Sequence, residues 1–392
     1  MPWLSRNGST CGLGKLMKSM TRGMEMTRRI IHETAAYKVM EMDGMLIGHE
    51  KMHDVFTGDN RVLVHDIEAN PGEEMQQGMD IIGASSMFKP GDPVAIKVNI
   101  GGGINGVLSS YTDPDLLSGI VNFLKDMGCK PFVCEADMRG HGITGTLLEK
   151  RGYLSWCKEH SIPFKNLSRG RTVRFHFLGI PRDIMLPEIL LDPSVKIVSV
   201  APPKHHWECG ITCAQKNMYG AIANYKKSRF HRAFDLIDHV VAGAARVMKP
   251  TLSIIASKQL GAGLGPHFCI PINFHKAIFA PDMLACDLFC ADMLGYPSNL
   301  VQYLTINLLG KPLKYKLMEG SSMIPQRTLD RIHAHAIPPS SVNLYKKTLF
   351  VQYFIPSWFQ FHVYHHFEWF LTWLNHRFYQ SRGDSSDAGS GN

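Results

Sequence analysis

Residues 195–225 read VKIVSVAPPKHHWECGITCAQKNMYGAIANY and join an apolar run to the densest polar chemistry in the chain. The β-branched residues between Val195 and Val200 predict a buried strand, which Pro202 and Pro203 end. Polar and reactive side chains follow at once: Lys204, His205, His206, Glu208, Cys209, Lys216 and Asn217. In open α/β sheets ligands collect at the carboxyl ends of strands, so this segment predicts a binding crevice.

The second half of the same stretch has the apolar spacing of a helix, through Ile211, Ala214, Met218 and Ile222. An alternative interpretation is that its lysines cover a surface and its histidines cap a loop, as isolated Lys and His residues usually do. The clustering of so many reactive side chains in one short segment favours the site.

A second strand with polar residues at its end lies earlier in the chain. After the turn at Pro90, residues 94–100 read VAIKVNI and predict a central strand, with Lys97 and Asn99 near its end. Gly101 and Gly102 follow, and glycine lets backbone N–H groups approach an anion closely. A flexible loop is the alternative, because neither a Walker motif nor a dinucleotide fingerprint is present.

The remaining periodicity repeats the order strand, helix, strand. A helix from Pro114 to about Gly128 between strands 94–100 and 131–135 implies a right-handed crossover between parallel strands. Further strands are predicted at 173–177, 252–256 and 277–280, and further helices at 147–160, 233–248 and 282–294. The predicted fold class is therefore α/β, with a mostly parallel sheet flanked by helices.

Two aspartates are candidate site residues for different reasons. Asp137 follows the strand 131–135 in a glycine-punctuated loop, where it could contact a hydroxyl or a metal or simply be solvated. Asp287 lies inside the apolar pattern of the helix 282–294. A lone buried carboxylate costs several kcal/mol, so Asp287 should have a partner: a lysine, a helix N-terminus or a bound ligand.

Composition limits the kind of partner. The 392 residues carry a formal net charge of +8, which favours anionic partners in general. Nucleic acid is excluded as the expected partner, since there is no long Lys/Arg run and no zinc-finger spacing. Nine scattered cysteines, an odd number, indicate reduced thiols in a cytoplasmic protein, and neither Cys pair spaced four apart completes a metal site.

The predicted organisation has four parts: an N-terminal extension and lead-in (1–88), the α/β core (89–310), a helical, aromatic and His-rich segment (311–380) and a disordered tail (381–392). Within the third part, residues 344–379 are dominated by aromatic rings and histidines, and Pro356 interrupts them. They are too polar for a confident spanning helix. Three placements stay open: a membrane surface, the domain itself, or a partner subunit.

Four segments, in order, resemble the domain-of-unknown-function 362 family over residues 92–304: VAIKVNI, TDPDLLSGIVNFLKDMGCKPFVCEAD, APPKHHWECGITCAQKNMYGAI and APDMLACDLFCADMLGY. The resemblance implies matches of the family's motifs at Lys97, Asn99, Lys204, His206, Lys216, Asn217, Gly220 and Asp287. Some relatives carry a fused iron–sulfur module, but no C-x-x-C-x-x-C run occurs here. The family has no generally established reaction, so the resemblance supports the fold and the site more than an activity.

The leading hypothesis is an enzyme acting on an anionic small molecule. Lys97, Lys204 and Lys216 would neutralise the anion, and His206 would exchange a proton near neutral pH. Asp287 would orient a lysine or histidine, and the remaining side of the site would be lined by Asn99, Gly101, Gly102, Asp137, Asn217 and Gly220. The hypothesis requires the three ammonium groups and the imidazole to converge around one hollow.

Two alternatives belong to other functional classes. One is a non-catalytic scaffold at a membrane surface, recruited through residues 344–379. The other is a redox protein that receives electrons from a separate iron–sulfur partner. The residues themselves specify no cofactor.

Overall fold

A computed structural model describes residues 28–101, 108–138, 142–224, 227–231, 236–266 and 268–353. The strands in these ranges are β1 (Arg28–Glu33), β2 (Tyr37–Met42), β3 (Met45–Glu50), β4 (Arg61–Asp66), β5 (Pro93–Lys97), β6 (Lys130–Glu135), β7 (Phe164–Asn166), β8 (Thr172–His176), β9 (Ile184–Pro187), β10 (Lys196–Ala201), β11 (Lys204–His206), β12 (Gly210–Thr212), β13 (Leu252–Leu264), β14 (Phe268–Ala280) and β15 (Lys316–Leu317). The helices are α1 (Pro71–Ile81), α2 (Leu117–Asp126), α3 (Gly145–Lys150), α4 (Tyr153–Glu159), α5 (Ala214–Gly220), α6 (Leu236–Val247), α7 (Met283–Met293), α8 (Gln302–Leu308), α9 (Gln326–Ala334) and α10 (Pro339–Tyr353).

The larger sheet has the strand order β15-β4-β14-β13-β10-β5-β6-β7, and the hairpin of β11 and β12 joins it beside β13. The strands from β13 through β10, β5 and β6 to β7 are parallel. Their continuous apolar runs suit strands that are covered on both faces. The predicted fold class, a mostly parallel sheet flanked by helices, is confirmed.

The two faces of this sheet bury separate cores, because successive side chains of a strand point to opposite faces. On β5, Val94 and Ile96 lie in one core with the apolar side of α2, whereas Ala95 lies in the other core with α5, α6 and α7. The site lies where polar residues replace the apolar ones at the strand ends, on the side of α5.

The direction of chain progression reverses between β5 and β10. From β5 the chain moves outward through β6 to β7, and from β10 it moves outward the opposite way through β13 to β14. The crossover helix α2 covers one face and α6 the other. Such a reversal leaves a crevice at the carboxyl ends of the two strands, which is the usual ligand position in open α/β sheets.

The smaller sheet has the order β1-β2-β3-β8-β9 and joins N-terminal strands to strands of the core. β3 runs parallel to β8, and β4 pairs antiparallel with β14 of the larger sheet. Glu50 at the end of β3 also accepts a hydrogen bond from Arg246 of α6 at 2.6 Å. Strand pairing therefore crosses the boundary expected at residue 88, and the division into domains stays a prediction.

Three local expectations were wrong. The helix expected at 147–160 is two helices, α3 and α4, separated at Gly152 with φ of 75°. Residues 204–212 form a β-hairpin rather than a helix, and the Gly261-Ala-Gly263 stretch lies within the long hairpin of β13 and β14 rather than in a loop. In the two hairpin regions, pairing to a distant strand overrides the local pattern.

The described part of the C-terminal segment packs on the domain. The rings of Tyr345 in α10 and Trp207 stack with centroids 5.6 Å apart. Lys346 forms a buried ion pair with Asp238 of α6 and also donates to Gln302. Residues 354–379 and the tail 381–392 lie outside the described residues. Within the described ranges, no helix combines the length and the apolar character needed to cross a bilayer.

Candidate functional site

The candidate site lies at the carboxyl ends of β5 and β10, and Asn217 of α5 connects them. Its amide nitrogen donates to the carbonyl oxygen of Lys97 at 3.0 Å and to the hydroxyl of Ser199 at 2.9 Å. Its amide oxygen accepts from Lys97 Nζ and from Asn99 Nδ2, both at 3.3 Å. Asn217 is fully buried, so these bonds fix α5 against both strands.

Asp287 of α7 holds the other end of α5. Its carboxylate accepts from the backbone N–H groups of Ala214 at 2.7 Å and Gln215 at 3.2 Å, and from Gln215 Nε2 at 3.0 Å. Burial raises the pKa of Asp287 to about 7, although these three donors act in the opposite direction. A helix N-terminus is one of the three partners considered for it. The expected contact with a lysine or histidine is not made within the described chain, so Asp287 positions the helix that carries Lys216.

Lys97 does not present a free charge, contrary to its expected role. Its ammonium forms a fully buried ion pair with Glu135 at the end of β6, with Nζ 2.7 Å from Oε1. The Glu135 carboxylate also accepts from the backbone N–H groups of Ala136 at 3.0 Å and Ile100 at 3.1 Å. A buried cation with a fully bonded carboxylate partner is already neutralised, so Lys97 supports the site rather than binding the anion.

Gly220 lies at the C-terminal end of α5, against this ion pair. A Cβ there would lie 2.8 Å from Lys97 Nζ and 3.1 Å from Glu135 Oε1, closer than atoms can pack. Only glycine lets the helix end approach the pair. The expected role of Gly220 at a ligand is therefore replaced by close packing.

Lys204 is the contrasting lysine. It is 1% exposed, and its Nζ donates to Asn99 Oδ1 at 3.0 Å and to the Ser110 carbonyl oxygen at 2.5 Å. Among the described residues, no carboxylate lies within ion-pair distance of it. Burial is the main cause that lowers the pKa of Lys204 to about 7, and the charges of Lys216 and Arg151 lower it further.

Lys216 has the most accessible ammonium of the predicted lysines. It is 9% exposed, and its Nζ lies 5.8 Å from the centre of the Tyr219 ring, a cation–π contact. In the part of the chain that the structure describes, no carboxylate or carbonyl oxygen accepts a hydrogen bond from it. Its charge is therefore available to a ligand.

Two further cations belong to the cluster and were missed from the sequence. Arg151 is 4% exposed, donates to the Gly101 carbonyl oxygen at 3.1 Å and stacks over the ring of Tyr111. Lys227 is 2% exposed and donates to the Gly220 carbonyl oxygen at 2.7 Å; burial lowers its pKa to about 7. The basic run of residues 226–232 was the available signal for Lys227, whereas nothing local marks Arg151.

Gly101 does not hold a ready-made anion cradle. Its N–H donates to Asn99 Oδ1 at 3.1 Å, and its carbonyl oxygen accepts from Arg151. The N–H group is therefore used within the loop, contrary to the role expected from the glycine run. Gly102 lies outside the described residues.

Asp137 shapes the loop after β6 instead of facing a ligand. Its Oδ1 accepts from the N–H of Ile143 at 2.9 Å and from Asn166 Nδ2 at 2.8 Å, and Arg169 lies 3.5 Å from Oδ2. This set of bonds uses both carboxylate oxygens. The expected contact of Asp137 with substrate has no support in the geometry.

The two histidines of β11 differ because strand side chains alternate between faces. His205 accepts from the N–H of Gly263 at Nδ1 and donates from Nε2 to the carbonyl oxygen of Leu294, and burial lowers its pKa to about 4. His206 points to the same face of β11 as Lys204, and its Nδ1 accepts from the N–H of Glu208 at 3.1 Å. His205 is a neutral structural residue, and His206 is the histidine on the side of the site.

A connected set of buried polar side chains lies next to Lys216. The Glu208 carboxylate is 2.6 Å from His231 Nδ1, and His231 Nε2 is 3.0 Å from the Tyr219 hydroxyl. Neither Tyr219 nor His231 was predicted as a site residue. Tyr219 follows Lys216 by three positions on α5, so helical spacing was the available signal.

The described cysteines are buried thiols without a metal arrangement. The Cys290 thiol hydrogen-bonds to those of Cys213 and Cys286, and burial is the main cause that raises its pKa. Within the described ranges, no group of three or more His, Cys, Asp or Glu side chains could hold a metal ion. A cavity of about 300 Å³ lined by residues including Lys165 and Asp192 contains none of the predicted site residues.

Two proteins of known name or structure are similar to this chain. A thylakoid-associated protein of Synechocystis sp. is 23% identical over 220 residues, which are 54% of this chain and 66% of that protein. The chain thus spans slightly less than two thirds of that relative's length. A crystal structure of a Thermotoga maritima protein superposes with a TM-score of 0.31 at 12% identity, covering 57% of this chain and 59% of the other.

The model of one protein family matches residues 94–292, about half of the chain. That family is described as a domain of unknown function (DUF362). The matched range runs from β5 to the end of α7 and contains every residue predicted for the site. This chain belongs to the DUF362 family.

Proposed function

We propose that the protein is an enzyme whose crevice between β5 and β10 binds an anionic small molecule and transfers a proton to or from it. One observation carries the proposal: buried cations outnumber buried carboxylates at this crevice. Glu135 neutralises Lys97, while Lys204, Lys216, Lys227 and Arg151 add four further cationic side chains.

The electrostatics of the cluster support a bound anion. The charges of Lys216 and Arg151 lower the pKa of Lys204, which means that these three groups act on one another at short range. Bringing like charges together in a poorly hydrated site is unfavourable unless an opposite charge enters it. A carboxylate or phosphate beside Lys216 relieves that repulsion, so binding of an anion is favoured.

His206 supplies the proton exchange in this proposal. Its Nδ1 accepts from a backbone N–H, so in the neutral ring the proton is on Nε2. The alternation of β11 places the ring on the face of Lys204. Histidine titrates near neutral pH and can donate or accept the proton of a bound anion.

The proposal is tested at Lys216, because this lysine makes no hydrogen bond to the described protein that its removal would break. Small molecules released from the native protein are identified by mass spectrometry, and the anion found is titrated calorimetrically. We expect Lys216→Gln to weaken binding by about tenfold or more, whereas Lys158→Gln, at an exposed site on α4, leaves the affinity unchanged. Equal affinity of the wild type and both variants would contradict the proposal.

A second candidate is association with a membrane surface, and two observations favour it. The Synechocystis relative is called thylakoid-associated, and residues 344–379 combine aromatic rings with flanking lysines and an arginine. Since α10 packs on the domain, the test compares the full chain with one ending after Tyr353. We expect only the full chain to float with anionic liposomes. Flotation of both, or of neither, would contradict recruitment by this segment.

The redox role with an external iron–sulfur partner stays a prediction from the family resemblance. None of the contacts at the site favours it over proton transfer. Anaerobic purification with an absorbance spectrum of the isolated protein is its direct test, since a coloured cofactor is expected.

A further inference from the structure

Three side chains next to the crevice form a continuous hydrogen-bonded chain. The Glu208 carboxylate Oε2 lies 2.6 Å from His231 Nδ1, and His231 Nε2 lies 3.0 Å from the hydroxyl oxygen of Tyr219. Their exposures rise along the chain, from 0% for Glu208 through 6% for His231 to 8% for Tyr219. The acid is the most buried member and the phenol is the most accessible.

The positions of the protons follow from the chemistry of the groups. An ionised carboxylate only accepts hydrogen bonds, so His231 Nδ1 carries the proton that Glu208 binds. In the neutral imidazole, Nε2 is then an acceptor, and the Tyr219 hydroxyl donates to it. The carbonyl oxygen of Lys227 is farther from this hydroxyl, at 3.5 Å, so the imidazole is its closer acceptor. A carboxylate, an imidazole and a hydroxyl in this order form the arrangement that activates hydroxyl groups in enzymes.

The phenol lies beside the cation that is available to a ligand. Tyr219 and Lys216 occupy neighbouring positions on one face of α5, and Lys216 Nζ is 5.8 Å from the ring centre. Glu208 is also joined to the predicted site, because its backbone N–H donates to His206 Nδ1. The chain of three side chains therefore meets the anion-binding cluster at the Tyr219 hydroxyl.

We propose that Tyr219 is an acid–base catalytic residue of the crevice, positioned by His231 and Glu208, and that its substrate is a carboxylate with a carbonyl group. This inference rests on the proposed function, because Lys216 must hold the substrate carboxylate. The cation next to the phenol suits an enolate, the anion that forms when a carbon next to a carbonyl loses a proton.

The proton transfer balances without an oxidant or a second reactant. His231 Nε2 takes the phenolic proton, and the resulting imidazolium is held by Glu208. The Tyr219 phenolate then removes a proton from the carbon next to the carbonyl: the C–H bond breaks, an O–H bond forms on Tyr219, and the electron pair moves to the carbonyl oxygen. Return of a proton to that carbon, and of the imidazole proton to Tyr219, restores the enzyme, so the reaction class is isomerisation.

The test uses two sulfonyl fluorides that modify activated phenols, para-fluorosulfonylbenzoate and its neutral analogue benzenesulfonyl fluoride. In the reaction the phenolate oxygen bonds to sulfur and fluoride leaves. We expect Tyr219 to react with both reagents faster than Tyr315, whose hydroxyl donates to Asp292 instead of a histidine. Peptide mass mapping identifies the modified residue, and Tyr219→Phe removes the signal. Absence of modification at Tyr219 in the wild type overturns the proposal.

The variants separate the relay from the anion site. We expect His231→Gln and the isosteric Glu208→Gln to slow modification of Tyr219 by both reagents, by about a hundredfold for His231→Gln. Unchanged rates in Glu208→Gln overturn the relay even if His231→Gln fails to fold. Lys216→Gln is expected to lower the ratio of the benzoate rate to the neutral rate. An unchanged ratio with slow reaction of the histidine and glutamate variants would contradict anion binding while leaving the relay standing.

Discussion

Lys97 and Lys204 are buried at the same crevice, yet the protein treats their charges differently. Both reach the side-chain amides of Asn99 or Asn217, but only Lys97 has a carboxylate, Glu135, at 2.7 Å. Lys204 has two neutral oxygen acceptors, and its pKa is lowered to about 7. The comparison teaches that similar burial of two lysines supports different uses of the charge.

The same distinction separates other buried lysines of the structure. Lys346 is paired with the buried Asp238 and fixes helix α10, a structural task like that of Lys97. Lys227 resembles Lys204, because burial lowers its pKa and no described carboxylate lies within ion-pair distance of it. Paired lysines hold elements together, whereas the lysines without a carboxylate partner lie at the candidate site, where strain on stability is common.

The largest expected effect comes from breaking the paired lysine. Glu135→Gln leaves the Lys97 ammonium buried without its counter-charge, so we expect the free energy of unfolding to fall by about 3–5 kcal/mol in urea titrations. Glu149→Gln, on the exposed side of α3, is the control and should change it by no more than about 0.5 kcal/mol. A loss no larger than that of the control would show that the pair is not what stabilises this strand end.

The opposite sign is expected for the lysine without a carboxylate. Lys204→Met removes an amine that must lose its proton, or keep a buried charge, when the chain folds near pH 7. It also removes two hydrogen bonds worth about 1 kcal/mol each. We expect a net gain in the free energy of unfolding of about 1–3 kcal/mol. Lys97→Met should instead destabilise the protein. Equal losses in both variants would remove the distinction between the two lysines.

The pH dependence sharpens this second prediction. The pKa of Lys204 is about 7 in the folded chain and 10.5 in the reference state, so between these values the unfolded chain binds more protons. This lysine's contribution to stability therefore rises with pH, by up to about 1.4 kcal/mol per pH unit. The advantage of Lys204→Met should shrink between about pH 7 and about pH 9 in urea unfolding. A constant difference would mean that the two states bind protons at Lys204 equally.

The smallest effect on stability is expected at Lys216. Its ammonium makes only the contact with the Tyr219 ring within the described chain, so Lys216→Gln should change the free energy of unfolding by about 0.5 kcal/mol or less. The same variant is expected to lose affinity for the anion. A loss of stability comparable to that of Glu135→Gln would make Lys216 a structural residue, and thermal unfolding measures it.

Much of the fold follows from local patterns in the chain. The runs at 94–100, 131–135 and 195–200 are strands, and the helix expected at 282–294 is α7. The family resemblance found in the same segments is confirmed by the match over residues 94–292. The hairpin at 204–212 was not predictable in this way, because its pairing partner near Gly261 is far along the sequence.

The candidate site was predicted in part, for the same reason. Lys204, Lys216 and Asn217 lie in one short segment, so their clustering was visible in the sequence. Arg151 and His231 come from separate parts of the chain and approach the site only through the order of the strands and helices. The roles expected for Lys97 and Asp287 changed once their partners were known, since a role depends on the group that a charge contacts.

The sequence by itself determined the α/β class, the family and the segment that holds the reactive side chains, because periodicity and residue type are local properties. Only the tertiary structure decided which lysine is neutralised by Glu135, which carboxylate caps α5 and which histidine supports Tyr219. Those pairings join residues far apart in sequence, such as Lys97 and Asn217 at a separation of 120 positions. Electrostatic interactions depend on distance in space and on burial, and the order of strands in the sheet sets both.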